Sequence, residues 1–290
     1  MRRVFISIVS TFVFISSHGW AEEKGVIDLR YPVSESIAHI TGIYWNFDQP
    51  LDGEQVIEDV SGHGNHGMLL EGNGEILPIV PGVNRRGTSG FETGIRLSTS
   101  ASSPGAEGNP RILVNMAVEN SLWLEGVSFT GGVWVKLSSV VMGEQFVLLM
   151  DKGGYNTRAG GNAGHFALYL YKNKGDAWQV GFHIGDGMTN TNVTSNANEI
   201  LDLYVDDWHH IGFNFHFDPV NGSAVSFWVD GKPVGTEIVD VNLTAGSSDT
   251  GARRFVVGER TTTHYVSTLD GILDDVFVTE GIYEFKPIEE

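Results

Sequence analysis

The sequence predicts an all-β sandwich, and three observations carry that prediction. From Ile112 onward, short apolar segments with two-residue alternation recur regularly and are separated by Gly, Asn and Asp turn clusters. The chain of 290 residues contains no cysteine. A disulfide scaffold is therefore excluded, and folding must rest on a large core. The third observation is the stretch Arg253–Val278, which ends in the apolar segment Gly271–Val278. Strict alternation there puts Ile272, Asp274, Val276 and Val278 on one face and Leu273, Asp275 and Phe277 on the other. A strand apolar on both faces lies between two layers. A carboxylate in that setting is costly unless paired, protonated or bound to a cation. The strand holds no Arg or Lys, so a cation is the economical partner.

Taken in order, the chain begins with an address. Arg2 and Arg3 precede an apolar run from Val4 to Ile15, and Gly19-Trp20-Ala21 supplies small residues for cleavage after Ala21. Residues 1–21 are expected to be a signal peptide, and the run is too short for a membrane span. The mature protein is expected to be secreted, extracellular or periplasmic, with no membrane span. The formal net charge of −18 disfavours nucleic acid, whose partners carry basic surfaces. An anionic polysaccharide would need a local basic patch, for which Arg253, Arg254 and Arg260 are candidates.

Residues 22–39 are polar and predicted to be a loose lead-in, with one domain over 40–290. Ile40–Phe47 reads as the first strand, and the glycines of Glu58–Gly67 mark a tight irregular loop. Residues 71–111 are the least regular, with short strands at Ile76–Val80 and Gly94–Leu97. Further strands are predicted at Phe129–Leu137, Phe146–Asp151, His165–Tyr171 and Trp178–Ile184. Trp208–Phe217 should turn Ile211, Phe213, Phe215 and Phe217 inward, and His210, Asn214 and His216 outward. Asp230-Gly231 joins Val225–Val229 to Lys232–Thr236 by a two-residue hairpin. Strand lengths and turn spacing suggest roughly twelve to fourteen strands.

Several motifs in sequence resemble the laminin-G-like domain of the concanavalin A-like lectin/glucanase superfamily. They are YWNFD followed by DVSGHGNHG, FTGGVWVKL followed by LLMDKGG, and DDWHHIGFNF, FWVDGKPVG and LDGILDDVFV. They run from Tyr44 to Val278. The resemblance implies an antiparallel jelly-roll β-sandwich of one concave and one convex sheet and, in many members, one structural calcium ion. It does not imply a function, since the fold hosts lectins, adhesion modules, glycosidases and lyases.

Calcium prefers several oxygen ligands, mixing carboxylates with carbonyls. Asp59 and Asp274 match the family positions that supply them, Asn65 lies in the Gly-rich loop, and Asp48 is a further candidate. The plain alternative is that Asp59 caps a turn and Asp274 is solvated. A second set, Tyr169, Tyr171, His183, His210, Asn214 and Trp228, is expected to form one sheet surface able to stack and hydrogen-bond a polysaccharide or cell-surface glycan. The alternative is an ordinary sheet face on which β-propensity favours aromatics.

Catalysis is a third possibility. No Glu-x-Asp-x-x-Glu strand is present, which argues against paired-carboxylate glycoside hydrolysis. A polysaccharide lyase acting on a uronate-containing polymer would instead need a base, an acid and a group that quietens the carboxylate. Lys152, His165, Arg260, His264 and Tyr265 are of those types. The leading expectation is a calcium-stabilised glycan-recognition jelly roll, with the lyase as its rival.

Overall fold

The computed structural model describes residues 23–48, 56–70, 75–81, 93–98, 111–115, 124, 126–138, 145–152, 165–172, 177–185, 189–195, 203, 207–240, 254–258 and 269–288. Strands dominate. In chain order they begin with β1 (Glu23–Asp28), followed after the short helix α1 (Val33–Ser36) by β2 (Ile43–Trp45), β3 (Val56–Ile57) and β4 (Gly67–Leu70). Next come β5 (Glu75–Pro81), β6 (Thr93–Ser98), β7 (Arg111–Asn115), β8 (Phe129–Leu137) and β9 (Gln145–Lys152). β10 (His165–Lys172), β11 (Trp178–Gly185), β12 (Asn190–Thr194) and β13 (Trp208–His216) follow. The chain closes with β14 (Ser223–Val229), β15 (Lys232–Val239), β16 (Arg254–Val257), β17 (Gly271–Glu280) and β18 (Ile282–Lys286). That is more strands than the turn spacing suggested, because short strands such as β3 and β16 leave little periodic signal.

Two large sheets face each other. Sheet I has the order β12-β11-β10-β9-β16-β7-β4-β3, and sheet II the order β15-β14-β13-β8-β17-β6-β5, with β2 also paired to β17. All strand pairs within them are antiparallel. Alternation explains the main core. Phe166, Leu168 and Leu170 from β10 and Val180, Phe182 and Ile184 from β11 meet Ile211, Phe213 and Phe215 from β13. The rings interlock: Phe182 lies 4.7 Å from Phe213, and Phe129 5.1 Å from Phe215. The hairpin at Asp230-Gly231 forms as expected, both residues adopting positive φ (51° and 76°), with Val229 opposite Lys232.

The lead-in is not loose. β1 pairs in parallel with β18 to form a small third sheet. With α1 it covers the outer face of sheet II and encloses a second core. Ile27, Leu29, Val33, Tyr44, Trp134, Phe277, Tyr283 and Phe285 are buried there. The stacking is therefore sheet I, main core, sheet II, second core, small sheet.

β17 sits at the centre of sheet II. β8 lines one side of it. On the other side β6 pairs with Gly271–Leu273 and β2 with Val276–Val278. The change of partner coincides with a bulge. Asp274 faces Trp134 and Phe277 faces Gly132, so two residues of β17 oppose one of β8. Asp275 has φ 45°. The bulge corrects the strict alternation read from sequence: Leu273, Val276 and Val278 share the main core, while Phe277 enters the second core.

Candidate functional site

The outer face of sheet I carries half of the residues expected to bind a glycan, among side chains that are largely buried: Leu148, Asp151, Ala167, Gln179 and His183 are each at most 7 % exposed. Because Phe166, Leu168 and Leu170 fill the main core, the intervening Ala167, Tyr169 and Tyr171 point outward. Register then aligns outward residues across four strands. One row reads Asp151, Ala167, His183, Asn192; the next reads Leu148, Tyr169, Gly181, Thr194; a third reads Phe146, Tyr171, Gln179. Phe146, Tyr169 and Tyr171 are half-buried rings. Phe146 lies 4.7 Å from Tyr171 and 5.6 Å from Tyr169 between centroids. Farther along, His183 Nδ1 lies 2.7 Å from Asn192 Oδ1. Since that oxygen can only accept, Nδ1 carries the proton, which fixes the ring. His183 is buried and Asn192 exposed.

Gly181 has a specific part in this face. A Cβ built on it would lie 2.2 Å from Tyr169 Cε2, 2.3 Å from Cζ and 2.7 Å from Oη. The phenol therefore lies across the glycine, in space that any other residue would occupy. Phe146, Asn192 and Gly181 were not singled out from sequence. Their signal is the cross-strand register, which one strand's alternation does not contain.

The six residues expected to form one surface lie on two. Tyr169, Tyr171 and His183 are on sheet I. His210, Asn214 and Trp228 are on the outer face of sheet II, beneath the small sheet. His210 is fully buried, packed 4.8 Å from Phe285 and 5.3 Å from Trp134. Trp228 lies 5.7 Å from Phe285. Asn214 is 2 % exposed; it accepts from Thr130 Oγ1 at 2.6 Å and donates Nδ2–H to the Tyr283 carbonyl at 2.9 Å. These three are parts of the second core, because β18 runs over the strands that carry them.

The candidate catalytic set divides differently. Lys152 is 2 % exposed and stands opposite Phe166 and Phe255, both in the main core. It thus leaves sheet I on the side away from Tyr169, Tyr171 and His183. His165 opens β10 opposite Gly185. Arg260, His264 and Tyr265 lie outside the described residues, as do residues 1–22 with the expected signal peptide.

Of the expected calcium ligands, the structure joins two. Asp59 Oδ1 accepts from the backbone N–H of Tyr44 (3.1 Å) and Ser61 (3.0 Å), and Oδ2 from that of Asn65 (2.9 Å). Asn65 donates its side-chain N–H to the Gly42 carbonyl, and its own carbonyl accepts from Trp45 Nε1. Asn65 Oδ1 is buried and has no hydrogen-bond partner. Such an orphaned acceptor beside a buried carboxylate fits a hard cation that takes mixed oxygen ligands. Among the described residues no group of three or more His, Asp or Glu side chains is placed to hold a metal.

Asp274 is 1 % exposed, and its Oδ1 accepts from the N–H of Asp275 at 2.8 Å. Asp275 Oδ1 accepts from Tyr44 Oη–H at 2.8 Å. Tyr44 thus bridges the Asp59 loop and the β17 bulge. Asp48 is exposed and shares hydrogen bonds with Asn46. Among the described residues no helix is long and apolar enough to cross a membrane.

Solved structures with this fold include the binding domain of botulinum neurotoxin DC in complex with SialylT. The match has 11 % identity and a TM-score of 0.51, over 82 % of this chain and 47 % of that one. The same domain in complex with rat synaptotagmin II gives 12 % identity and a TM-score of 0.50, over 82 % and 47 %. The chain spans about half the length of these domains, and at this identity the likeness concerns the fold. No curated protein matches the sequence. A laminin-G family profile described as the concanavalin A-like lectin/glucanases superfamily matches residues 114–281, more than half of the chain. The chain belongs to that laminin-G-like family of the concanavalin A-like lectins and glucanases.

Proposed function

We propose that the protein is a secreted, calcium-stabilised domain that recognises a polysaccharide or cell-surface glycan on the outer face of sheet I. One observation carries this reading. Phe146, Tyr169 and Tyr171 form a half-buried ring cluster that continues into the His183–Asn192 hydrogen-bonding pair. Sugars present apolar ring faces to aromatics and hydroxyls to directed donors and acceptors, and this face offers both within adjacent rows. The corresponding face of sheet II is occupied by the protein's own second core. A fold neighbour in complex with SialylT is compatible with such a use but does not require it. Calcium would be held at the Asp59–Asn65 loop, where it would order the chain after β2 rather than take part in chemistry. The lyase reading draws no support from Lys152, whose side chain leaves the opposite side of the sheet.

The test is a printed array of neutral and acidic glycans probed with the wild type and with Tyr171→Ala. Binding to a defined subset that Tyr171→Ala weakens at least tenfold is expected. Failure of the wild type to bind any glycan would remove the proposal.

A further inference from the structure

We infer that the rim of sheet II's outer face, where the second core stops, is a binding site for a polyuronate, with Arg96 and Lys136 holding its carboxylates and Trp208 stacking on a sugar ring. It stands apart from the face of sheet I discussed above. Register aligns four residues in one row: Trp208 of β13, Lys136 of β8, Ile272 of β17 and Arg96 of β6. Their direction follows from their neighbours. Val135, Leu137, Leu273, Ile95 and Leu97 fill the main core, so Lys136, Ile272 and Arg96 leave the sheet on its other side. The adjacent row, Trp134 and His210, is buried beneath the small sheet. In this row all four side chains are half-buried, and Trp208 packs against the edge of the second core. Among the described residues neither Arg96 nor Lys136 has an ion-pair or hydrogen-bond partner for its side chain. One strand separates the two cations, which sets their Cα atoms about 10 Å apart.

The chemistry of the row selects the ligand. Arg96 offers a planar fork that matches a carboxylate, and Lys136 a point charge on a flexible stem. Trp208 and Ile272 add apolar surface for a ring face. Charge density then decides between polyanions. Asp270 and Asp274 lie two residues to either side of Ile272 on β17, and Asp207 is exposed beside Trp208. Asp274 is 1 % exposed, and its Oδ1 is engaged by the Asp275 N–H. With the chain's net charge of −18, these acids repel a densely charged strand such as a nucleic acid. Duplex DNA carries one charge per about 1.7 Å of its axis. A polymer with one carboxylate per sugar, and an apolar ring face between carboxylates, meets two local cations without that density.

The alternative is a solvated rim on which two long stems merely cover apolar sheet. Replacing both cations by Gln keeps much of each stem and removes the charge, so it separates the roles. Affinity electrophoresis would be run through gels cast with alginate and with polygalacturonate. A gel of fully methyl-esterified pectin presents a polyuronate backbone without its charge, and a gel of single-stranded DNA presents a denser polyanion. Thermal melts would be recorded alongside. Wild type should be retarded in a uronate gel and not in the esterified one, and the retardation should fade as salt is raised. The Lys136→Gln/Arg96→Gln double variant should melt like wild type and lose at least about tenfold in affinity. If the double variant fails to fold, the two single variants decide, each expected to bind more weakly than wild type. Uronate retardation unchanged in these variants would overturn the inference, as would equal retardation in the esterified gel or retardation by DNA alone. Uronate binding that Tyr171→Ala abolishes and the double variant spares would overturn it and return the polymer to sheet I. No retardation in any uronate gel would overturn it whatever the glycan array shows for sheet I.

Discussion

Asn214 sits between Phe213 and Phe215 on β13, and the three side chains are buried for different reasons. The two rings fill the main core. The amide faces the other way and ties Thr130 of β8 to the Tyr283 carbonyl of β18. Thr130 Oγ1 in turn contacts the Gly281 carbonyl at 2.8 Å and accepts from the Tyr283 N–H at 3.2 Å. Removing one member leaves buried polar groups without partners, which costs about 1–3 kcal/mol. Asn214→Ala should lose that much in urea unfolding, against about 3–5 kcal/mol for Phe213→Ala. A loss below experimental error for Asn214→Ala would mean that β18 is held by its apolar contacts alone. Two residues on, burial holds the His216 imidazole below its ordinary value. The unfolded chain therefore takes up a proton first as pH falls. This contribution is absent well above pH ~6.5 and grows as pH drops through that value, lowering stability. Melting temperature should fall between pH 7.5 and 5.5, and His216→Asn should flatten part of that decline. An identical decline in the variant would assign the loss to other groups.

The bulge in β17 shows how one residue's backbone sets the neighbours of a whole strand. Asp275 adopts φ 45°, a left-handed conformation that Asp and Asn tolerate and β-branched residues do not. Its carboxylate takes the Tyr44 hydroxyl, anchoring β2 where β6 leaves off. Asp275→Asn preserves the backbone preference and an acceptor. Asp275→Val loses both and should be less stable than the Asn variant by at least about 1–3 kcal/mol, the cost of the strained backbone alone. Equal stabilities in guanidinium titration would show that the bulge is imposed by the surrounding sheet. The sequence disclosed the Asp230-Gly231 hairpin because both turn residues tolerate positive φ and the flanking alternation is unbroken. It concealed the β17 bulge, because an inserted residue inverts the alternation without changing composition. It concealed the β1–β18 pairing as well, since a parallel partner more than 250 positions away leaves no local mark. The candidate site was half legible for a related reason. Alternation tells which side of a strand a residue takes but not which sheet the strand joins, so Tyr169 and His183 read alike with His210 and Asn214.

At the scale of the molecule, three sheets and two cores leave the two outer faces of the sandwich unequal. Sheet II is covered by residues from both ends of the described chain. On sheet I the rings of Phe146, Tyr169 and Tyr171 are half-buried on the side away from the main core. The Asp59 loop lies where these parts meet: it bonds the backbone of Tyr44, whose hydroxyl reaches β17, and it packs Asn65 against Trp45. A cation held there would brace β2, β17 and the loop at once, so its binding should register as global stability. Binding to the native state alone adds RT ln(1 + [Ca]/Kd), about 2.7 kcal/mol at a hundredfold excess over Kd. Wild-type protein stripped with chelator should therefore melt lower, and its melting temperature should climb with added calcium and not with added sodium at equal ionic strength. Asp59→Asn keeps an acceptor for the Tyr44 and Ser61 N–H groups, sets its NH2 against the Asn65 N–H, and removes the charge that a divalent ion needs. It should melt below stripped wild type, because the buried Asn65 N–H loses its acceptor, and show little rise with calcium. Asp274→Asn separates two placements of the ion. A flattened response would put the β17 carboxylate in its shell, whereas a wild-type response would confine the ion to the loop. If chelator and calcium leave the wild-type melt unchanged, the Asp59 carboxylate acts only as a hydrogen-bonded staple for the turn, and the stability of this junction comes from Tyr44 and the buried acids alone.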